Sequence, residues 1–557
     1  MKRYKLFRFL LPVIVLGLLG QSCNNFEDLN TNPAASTKAD PKSLIAKVTI
    51  HYSGDRETVW RSTAGYHMAF VQMVSDGWAI SNGQKYNVIA GYPEYMWRSM
   101  YSYINDLQLA INASEGKPEM INYVAVARVL KALYFSQLTD TYGDIPYFEA
   151  VSGYDKDVMW PKYDSQRDIY YDLFKELDEA VQQFDPDMKL ESDLLFDGNI
   201  EKWKKFANSL HLRLALRLVN VEEDKARAEA EKALAGRLME SSADNGVVYH
   251  GNYDISSSNA IEIRGNGFSQ VQHFNDEIVV ACATYSDYLR DNKDPRLEMI
   301  FGVYGAYVEN VSSGRIAFKS TNEMSAEVTK EWKEKYGDLI GFPPGKFVWD
   351  PTEDEGITWD PFFLKKNGKD VQIDKYFKAL QIRRELNRFD APFIYMSYAE
   401  VELLKAEANV RWGIAGDAKE HVLNAVNAGI DDIHNILRSP AASVADINAY
   451  LHHMDEMWDT TDHLEVINMQ HYVNFFFNGI EAFANWRRSG YPKLVPAYDP
   501  AYTDPNLNGL IPRRIPYPDS EMQYNRENLE PHLDEGKNFW GAPVWWDGDK
   551  MRGVILN

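Results

Sequence analysis

Aromatic rings set among amides and carboxylates can hold a sugar, and one stretch of this chain concentrates them. Residues 76–97 contain Asp76, Gly77, Trp78, Asn82, Gln84, Tyr86, Tyr92 and Trp97. The Gly and Asn in that stretch argue for a loop. An exposed indole or phenol stacks its flat apolar face on the C–H side of a pyranose, and Asn, Asp, Gln and Arg answer the hydroxyls. Trp78, Asn82 and Tyr86 are therefore the first candidate ligand contacts. Trp349 and Trp359, beside Pro351, Glu353, Asp354, Glu355 and Pro361, are the second. Trp97, Tyr101, Ile104 and Asn105 stand at helical spacing and read as core, as do Trp203 and Trp486 on apolar helix faces. Aromatic surfaces also serve peptides, so a glycan is favoured and a peptide remains open.

Catalytic chemistry leaves a weaker mark. A glycosidase needs two carboxylates roughly 5–10 Å apart with separated pKa values. With 81 acidic residues, such pairs carry no signal. No G-x-S-x-G elbow and no H-E-x-x-H occurs. His463 and His471 are eight apart, a spacing that can align two ligands, but they read as solvated or capping residues. Glu353-Asp354-Glu355 lacks the EF-hand spacing. Gly265-Asn-Gly267 reads as a turn. No catalytic residue, cofactor or metal is expected. A surface glycoside hydrolase is the alternative reading, and a non-binding surface scaffold the third.

The elements that position these residues follow from length and pattern. The chain has 557 residues, 45% hydrophobic and 25% charged, which fits a globular protein. Its net charge of −22 repels phosphate backbones, so no nucleic-acid partner is expected. Lys2, Arg3, Lys5 and Arg8 precede an apolar run, Phe9 to Leu19, too short to span a bilayer. It reads as a secretory signal, residues 1–22. Cys23 follows directly, behind small residues, and reads as a lipidated cysteine. Two or three acyl chains, at about 0.8 kcal/mol per buried CH₂, would hold the protein on a membrane. Cys282 is then the one remaining cysteine and has no intramolecular disulfide partner.

Residues 23–42 read as a tether and 43–557 as a single domain. To about residue 240 the pattern is mostly helical. Tyr123, Val126, Ala127, Leu130, Leu133, Tyr134 and Leu138 mark one buried face. Ile169 to Phe184, Trp203 to Leu218 and Ala226 to Leu238 mark three more. Ser165 with Asp168 and Ser443 with Asp446 look like capping boxes. About 250–395 is rich in Gly, Pro, Asn and aromatics and reads as a loop-rich insertion. Helices resume at Met396; Gly413 ends one and Asp417 starts the next. Leu464 to Trp486 reads as a final long helix. From about 491 to 557 nine of the 24 prolines occur, which excludes long helices there. Helix pairs of about 35 residues predict a mainly α fold, a tetratricopeptide-like right-handed stack.

Several segments resemble one family. Leu138-Thr-Asp-Thr-Tyr142-Gly-Asp144-Ile-Pro146-Tyr147 resembles the "yGDvPy" segment of SusD/RagB-type nutrient-binding outer-membrane lipoproteins. Ile169 to Val181 and Phe206 to Arg217 are similar to the helices that follow it. Arg388 to Glu407 resembles "aDvllmyAEalll.AEa", Glu481 to Gly490 the late "E..R..dl.R.G", and Ile511 to Pro516 with Glu521 and Asn525 the C-terminal "rip.Pd.E...N". The closing Pro543-Val-Trp545-Trp546-Asp547 fits one branch better than the starch-binding founder. The resemblance covers nearly the whole mature chain. It implies tetratricopeptide-like units supporting ligand-binding loops, and a lipid anchor in the outer membrane facing the exterior. It implies a SusC-like TonB-dependent β-barrel partner that the lipoprotein caps as a hinged lid, and a glycan or peptide as cargo.

Overall fold

Apolar period and capping chemistry together set where the helices lie. In chain order they are α1 (Pro41–Gly54), α2 (Tyr92–Ser114), α3 (Ile121–Tyr142), α4 (Gln166–Gln183), α5 (Ile200–Arg217), α6 (Glu223–Ala235), α7 (Gly267–Phe274), α8 (Ala283–Asp291), α9 (Tyr398–Trp412), α10 (Ala418–Asn435), α11 (Val444–Thr460), α12 (His463–Asn474) and α13 (Gly479–Ser489). This is a computed structural model, and it describes residues 40–75, 81–151, 158–253, 263–274, 279–302, 304–310, 316–323, 341, 344, 362–366, 369–373, 380–497 and 503–548. For 81–82, 274, 304–323 and 362–373 that description is of the backbone alone.

The starts of the helices show why the chain turns where it does. Ser165 Oγ accepts from the Asp168 amide at 3.1 Å, and Ser443 Oγ from Asp446 at 3.1 Å. Ser397, Asp417, Asp462 and Asn478 do the same for Glu400, Glu420, Glu465 and Glu481. Each cap satisfies an orphan amide, and the acid three places on faces the positive end of the helix. Gly413 closes α9 in the left-handed conformation, φ 69°.

The helices form a tetratricopeptide-like stack. α2 packs on α1 and α3, α3 on α4, and α5 on α4 and α6. Past the insertion, α9 packs on α10 and α12, and α5 meets α9 across the middle. One apolar core runs through both halves, with Val48, Leu130, Leu173, Trp203, Leu214, Val401 and Phe483 among its members. A second core, around Leu403, Val426, Tyr450 and Ile467, joins α9 to α12. Trp97, Trp203 and Trp486 are buried, as their spacing predicts. No helix among the described residues is long and apolar enough to cross a membrane.

One expectation needs correction. The predicted helix from Leu464 to Trp486 is two helices, α12 and α13, separated at Phe475–Asn478. Asn478 caps the second, so the apolar period continues across a break that local hydrogen bonding imposes. The insertion also holds short antiparallel strands, labelled β1 (Val74–Ser75), β2 (Gly246–Val248), β3 (Val280–Ala281), β4 (Phe301–Gly302), β5 (Tyr304–Asn310), β6 (Ile316–Glu323), β7 (Phe362–Lys366), β8 (Lys369–Ile373), β9 (Gln381–Ile382) and β10 (Phe393–Met396) with those outside it. β5–β6 and β7–β8 are two-stranded pairs, β10 pairs with β2, and one sheet runs β1-β3-β9-β4. That sheet matters for the site: Val74 pairs with Ala281, which fastens the approach to residues 76–97 onto the insertion.

Arginines and carboxylates bind the stack internally. Arg213 on α5 donates to both oxygens of Glu400, at 2.6 and 2.8 Å, and reaches Glu481 at 3.3 Å. Arg217 donates to Glu481 at 2.6 Å and pairs with Asp140 at 3.3 Å. Trp546 Nε1 and the Tyr170 hydroxyl complete Asp140, at 2.6 and 2.5 Å. Burial alone raises the Glu481 carboxyl, but Arg213 and Arg217 overcome it and hold the group below its usual range. These residues come from the segments that carry the family resemblance. The motifs are, physically, the parts of one buried ionic fastener.

Candidate functional site

The site begins where α1 ends. Asp55 accepts from the amides of Glu57 and Thr58, at 3.1 and 3.4 Å, and starts a short helix, Arg56–Thr58. A π-helical stretch follows, Val59–Met68. Such wider turns are uncommon and gather at functional sites. Trp60 and Arg61 stand at its start. Gly65 lies in it, and a Cβ on Gly83 would come within 1.7 Å of the Gly65 carbonyl oxygen. Only glycine permits that approach, and it sets the short helix Ser81–Gln84 directly against the π-helical stretch. The segment bearing Asn82 is thereby locked to the segment bearing Trp60 and Arg61.

Arg61 is surrounded by rings. Its guanidinium lies 4.4 Å from the Trp60 ring centroid, 4.3 Å from Tyr95 and 5.4 Å from Tyr92. Arg98 lies 5.2 Å from the outer ring, Tyr95. Glu57 pairs with Arg61. Trp60, Arg61, Tyr92 and Tyr95 are all half-buried, and Arg98 is exposed. Tyr66, fully buried, supports Tyr92 edge-on at 6.3 Å and accepts from the Ile89 amide at 3.0 Å. The arrangement offers partly exposed rings for stacking beside planar guanidinium donors for hydroxyls.

The sequence-predicted residues divide. Trp78, Trp349 and Trp359 lie outside the described residues, as does Cys23. Asn82 is placed by its backbone in the short helix Ser81–Gln84. Tyr86 departs from the expectation of an exposed contact. It is 1% exposed and adopts φ 54°, and its hydroxyl accepts from the Ala497 amide at 3.1 Å and from Gln72 Nε2 at 3.5 Å. Burial pushes its phenol up to about 12. The ring packs 6.2 Å from Phe70, so Tyr86 positions the segment from within. Tyr92 lay in the predicted stretch; Trp60, Arg61 and Tyr95 were missed as contacts. The available signal was Trp-Arg just after an Asp cap, with Tyr92 and Tyr95 one helical turn apart.

Of the histidines, His463 is exposed at the start of α12, as expected, and stacks on Trp458 at 4.0 Å. His471 is neither solvated nor a cap: it is buried, and that burial lowers its pKa to about 3, leaving a neutral ring. Among the described residues, one other cluster has metal-ligand types. Asp178, His211 and Glu229 present ligand atoms within 4.8 Å of one another. The two nitrogens of His211 face different carboxylates, Glu229 at 2.7 Å and Asp178 at 3.4 Å. Lys225 and Lys232 hold those same carboxylates, so the group is an ion-pair cluster between α4, α5 and α6.

Fold and site together define a class: a tetratricopeptide-like helical stack that presents a ring-and-arginine face beside its loops. The chain belongs to the SusD-like family described as starch-binding associating with outer membrane, matched over residues 33–339 and 359–518. Among solved structures it is similar to a chitin-binding protein, 30% identical with a TM-score of 0.73, over 92% of this chain and all of that one (100%). A Bacteroidetes SusD-like protein, AC2a, is 28% identical with a TM-score of 0.77, over 91% of this chain and 100% of its own. A chitin-binding SusD homolog from Flavobacterium johnsoniae, 20% identical with a TM-score of 0.65, over 91% of this chain and 99% of its own, shares the fold. No curated protein matches the chain.

Proposed function

We propose that this chain is a surface lipoprotein that captures an oligomeric glycan on the Trp60–Arg61–Tyr92–Tyr95 face and delivers it to a SusC-like TonB-dependent β-barrel, which it closes as a lid. In this reading residues 1–22 are the signal peptide, Cys23 carries the lipid, and 23–42 form the tether to the domain 43–557. Trp78, Asn82, Trp349 and Trp359 are further contacts, and Tyr86 sets the segment that carries the first two.

The observation that carries the reading is the half-buried ring face around Arg61. Such rings stack on pyranose faces, and guanidinium N–H groups donate to hydroxyls. The family's starch-binding description and the chitin-binding relative at 30% identity support a glycan. Carboxylates with displaced titration, such as Glu400 and Glu481, are bonded to arginines inside the stack, which favours capture over hydrolysis.

The test is calorimetry on the soluble chain beginning after Asn24, titrated with chitohexaose and maltoheptaose. Trp60→Ala and Arg61→Ala are each expected to weaken binding at least about tenfold. Trp160, 53% exposed elsewhere on the surface, supplies the comparison: Trp160→Ala should leave binding unchanged. Binding lost only in Trp160→Ala would move the site there. Turnover of either oligosaccharide would replace capture with hydrolysis.

A further inference from the structure

A cavity of about 550 Å³ opens beyond the C-terminal end of α13. It falls in the range of small-ligand sites. Its walls are unlike the ring face around Arg61. Trp486, Tyr491 and Phe539 contribute rings, but Leu494, Ile511 and Pro543 make much of the rest aliphatic. Branched aliphatic walls leave sugar hydroxyls unanswered and accept an apolar side chain.

The polar groups are few and placed at its border. Trp486 is 6% exposed, and its indole N–H meets no acceptor among the described residues. Trp203, Trp540 and Trp546 spend their indole N–H on Asp193, Asp504 and Asp140, at 2.8, 2.8 and 2.6 Å, whereas Trp97 and Trp458, like Trp486, have no acceptor among the described residues. Trp486 lines the cavity with that N–H unspent. Ser489 Oγ accepts from the Tyr491 amide at 3.2 Å and keeps its own proton to donate. Lys493, with its side chain 63% exposed, lines the same cavity, and its nearest carboxylate, Glu465, is 3.9 Å away. Asp534 brings an exposed carboxylate to the cavity. Arg513 is already committed to Asp547 and to the Arg487 carbonyl.

We infer that this cavity is a second binding site, for a short apolar peptide with free ends. A carboxylate terminus meets Lys493 and the donors of Trp486 and Ser489, an ammonium terminus meets Asp534, and the side chains enter the aliphatic interior. The inference does not depend on glycan capture. The cavity wall adjoins the segment that bears the other site: Gln72 Nε2 donates to the Val495 carbonyl at 2.6 Å, and the Tyr86 hydroxyl accepts from the Ala497 amide at 3.1 Å.

The experiment is calorimetry of the soluble chain with trileucine, and with trileucine acetylated at its N-terminus and amidated at its C-terminus. Trileucine is expected to bind saturably in the millimolar range or tighter, and the blocked peptide at least about tenfold more weakly. Lys493→Ala, an exposed change that leaves the fold alone, is expected to weaken trileucine about tenfold. Ile511→Trp, which fills the cavity, is expected to abolish binding. Trp60→Ala should change trileucine binding not at all, and chitohexaose should not displace it. No saturable heat with trileucine overturns the inference, as does equal binding of the blocked peptide. Binding that survives both cavity variants, or falls with Trp60→Ala, also overturns it. Glycan binding that persists in Lys493→Ala keeps the capture reading separate from this outcome.

Discussion

Arginine has opposite surroundings in two regions of this molecule. In the centre of the stack, Arg213 and Arg217 are fully buried and ringed by carboxylates from α3, α9 and α13. At the start of the π-helical stretch, Arg61 is half-buried, has Glu57 beside it, and is otherwise faced by three aromatic rings. The same guanidinium fastens helices where carboxylates take its donors, and in the proposed function it faces ligand where rings surround it. A buried ion pair is weak evidence for stability as a pair, yet removing one partner strands a charge. The interior arginines are therefore structural in a way that Arg61 is not.

Breaking the interior should have the largest effect. Glu481→Ala removes the carboxylate that Arg213 and Arg217 share, leaving them Glu400 and Asp140, and the expected loss is about 3–5 kcal/mol of unfolding free energy. Urea denaturation measures it, and a loss below about 1 kcal/mol would mean the network is not a fastener. Because the Glu481 carboxyl is held below its usual range, its contribution is present above that range and disappears as pH falls through the lowered value. Breaking the face should separate function from stability. Arg61→Ala is expected to lower the unfolding free energy from urea denaturation by less than about 1 kcal/mol while glycan affinity drops at least about tenfold, which calorimetry on the same sample reads.

A buried carboxylate without an arginine sharpens the contrast. Asp432 is bonded by Asn245 at 2.9 Å, and burial raises its pKa to about 6. Its unfolded value is lower, so the native state holds the proton more tightly and stability falls as pH rises from about 4 to about 6. Asp432→Asn is expected to stabilise the protein above that window, on the order of 2 kcal/mol, and to do little below it. Melting curves at both ends of the window check this. The smallest effect should come from a cap: Ser443→Ala loses the bond to the Asp446 amide, about 1 kcal/mol, with glycan binding unchanged.

What was legible in the sequence follows the range of the interactions. The caps at Ser165, Asp417 and Ser443 act across three residues, and each was visible. The break at Asn478 was not, because apolar residues on both sides keep their period. The segments bearing Asp140, Arg213, Glu400 and Glu481 were recognisable as motifs, but their meeting in one network joins elements far apart in the chain. The site divides the same way. Residues 76–97 were marked by composition and include Tyr92 and Tyr95, whereas Trp60 gains its importance from Arg61 reaching across to a ring 34 residues further on. Tyr86 looks like a loop aromatic until the Ala497 amide, 411 residues away, is seen to bind its hydroxyl.

That last distance bears on how the protein is made. Arg213 finds Glu400 and Glu481 only 187 and 268 residues later, and Tyr86 waits longer still. A chain emerging N-terminus first therefore carries guanidinium groups it cannot bury until its last quarter has been synthesised. In the exported-lipoprotein reading proposed above, this late completion of the network by Glu481 would favour passage through a secretion channel in extended form.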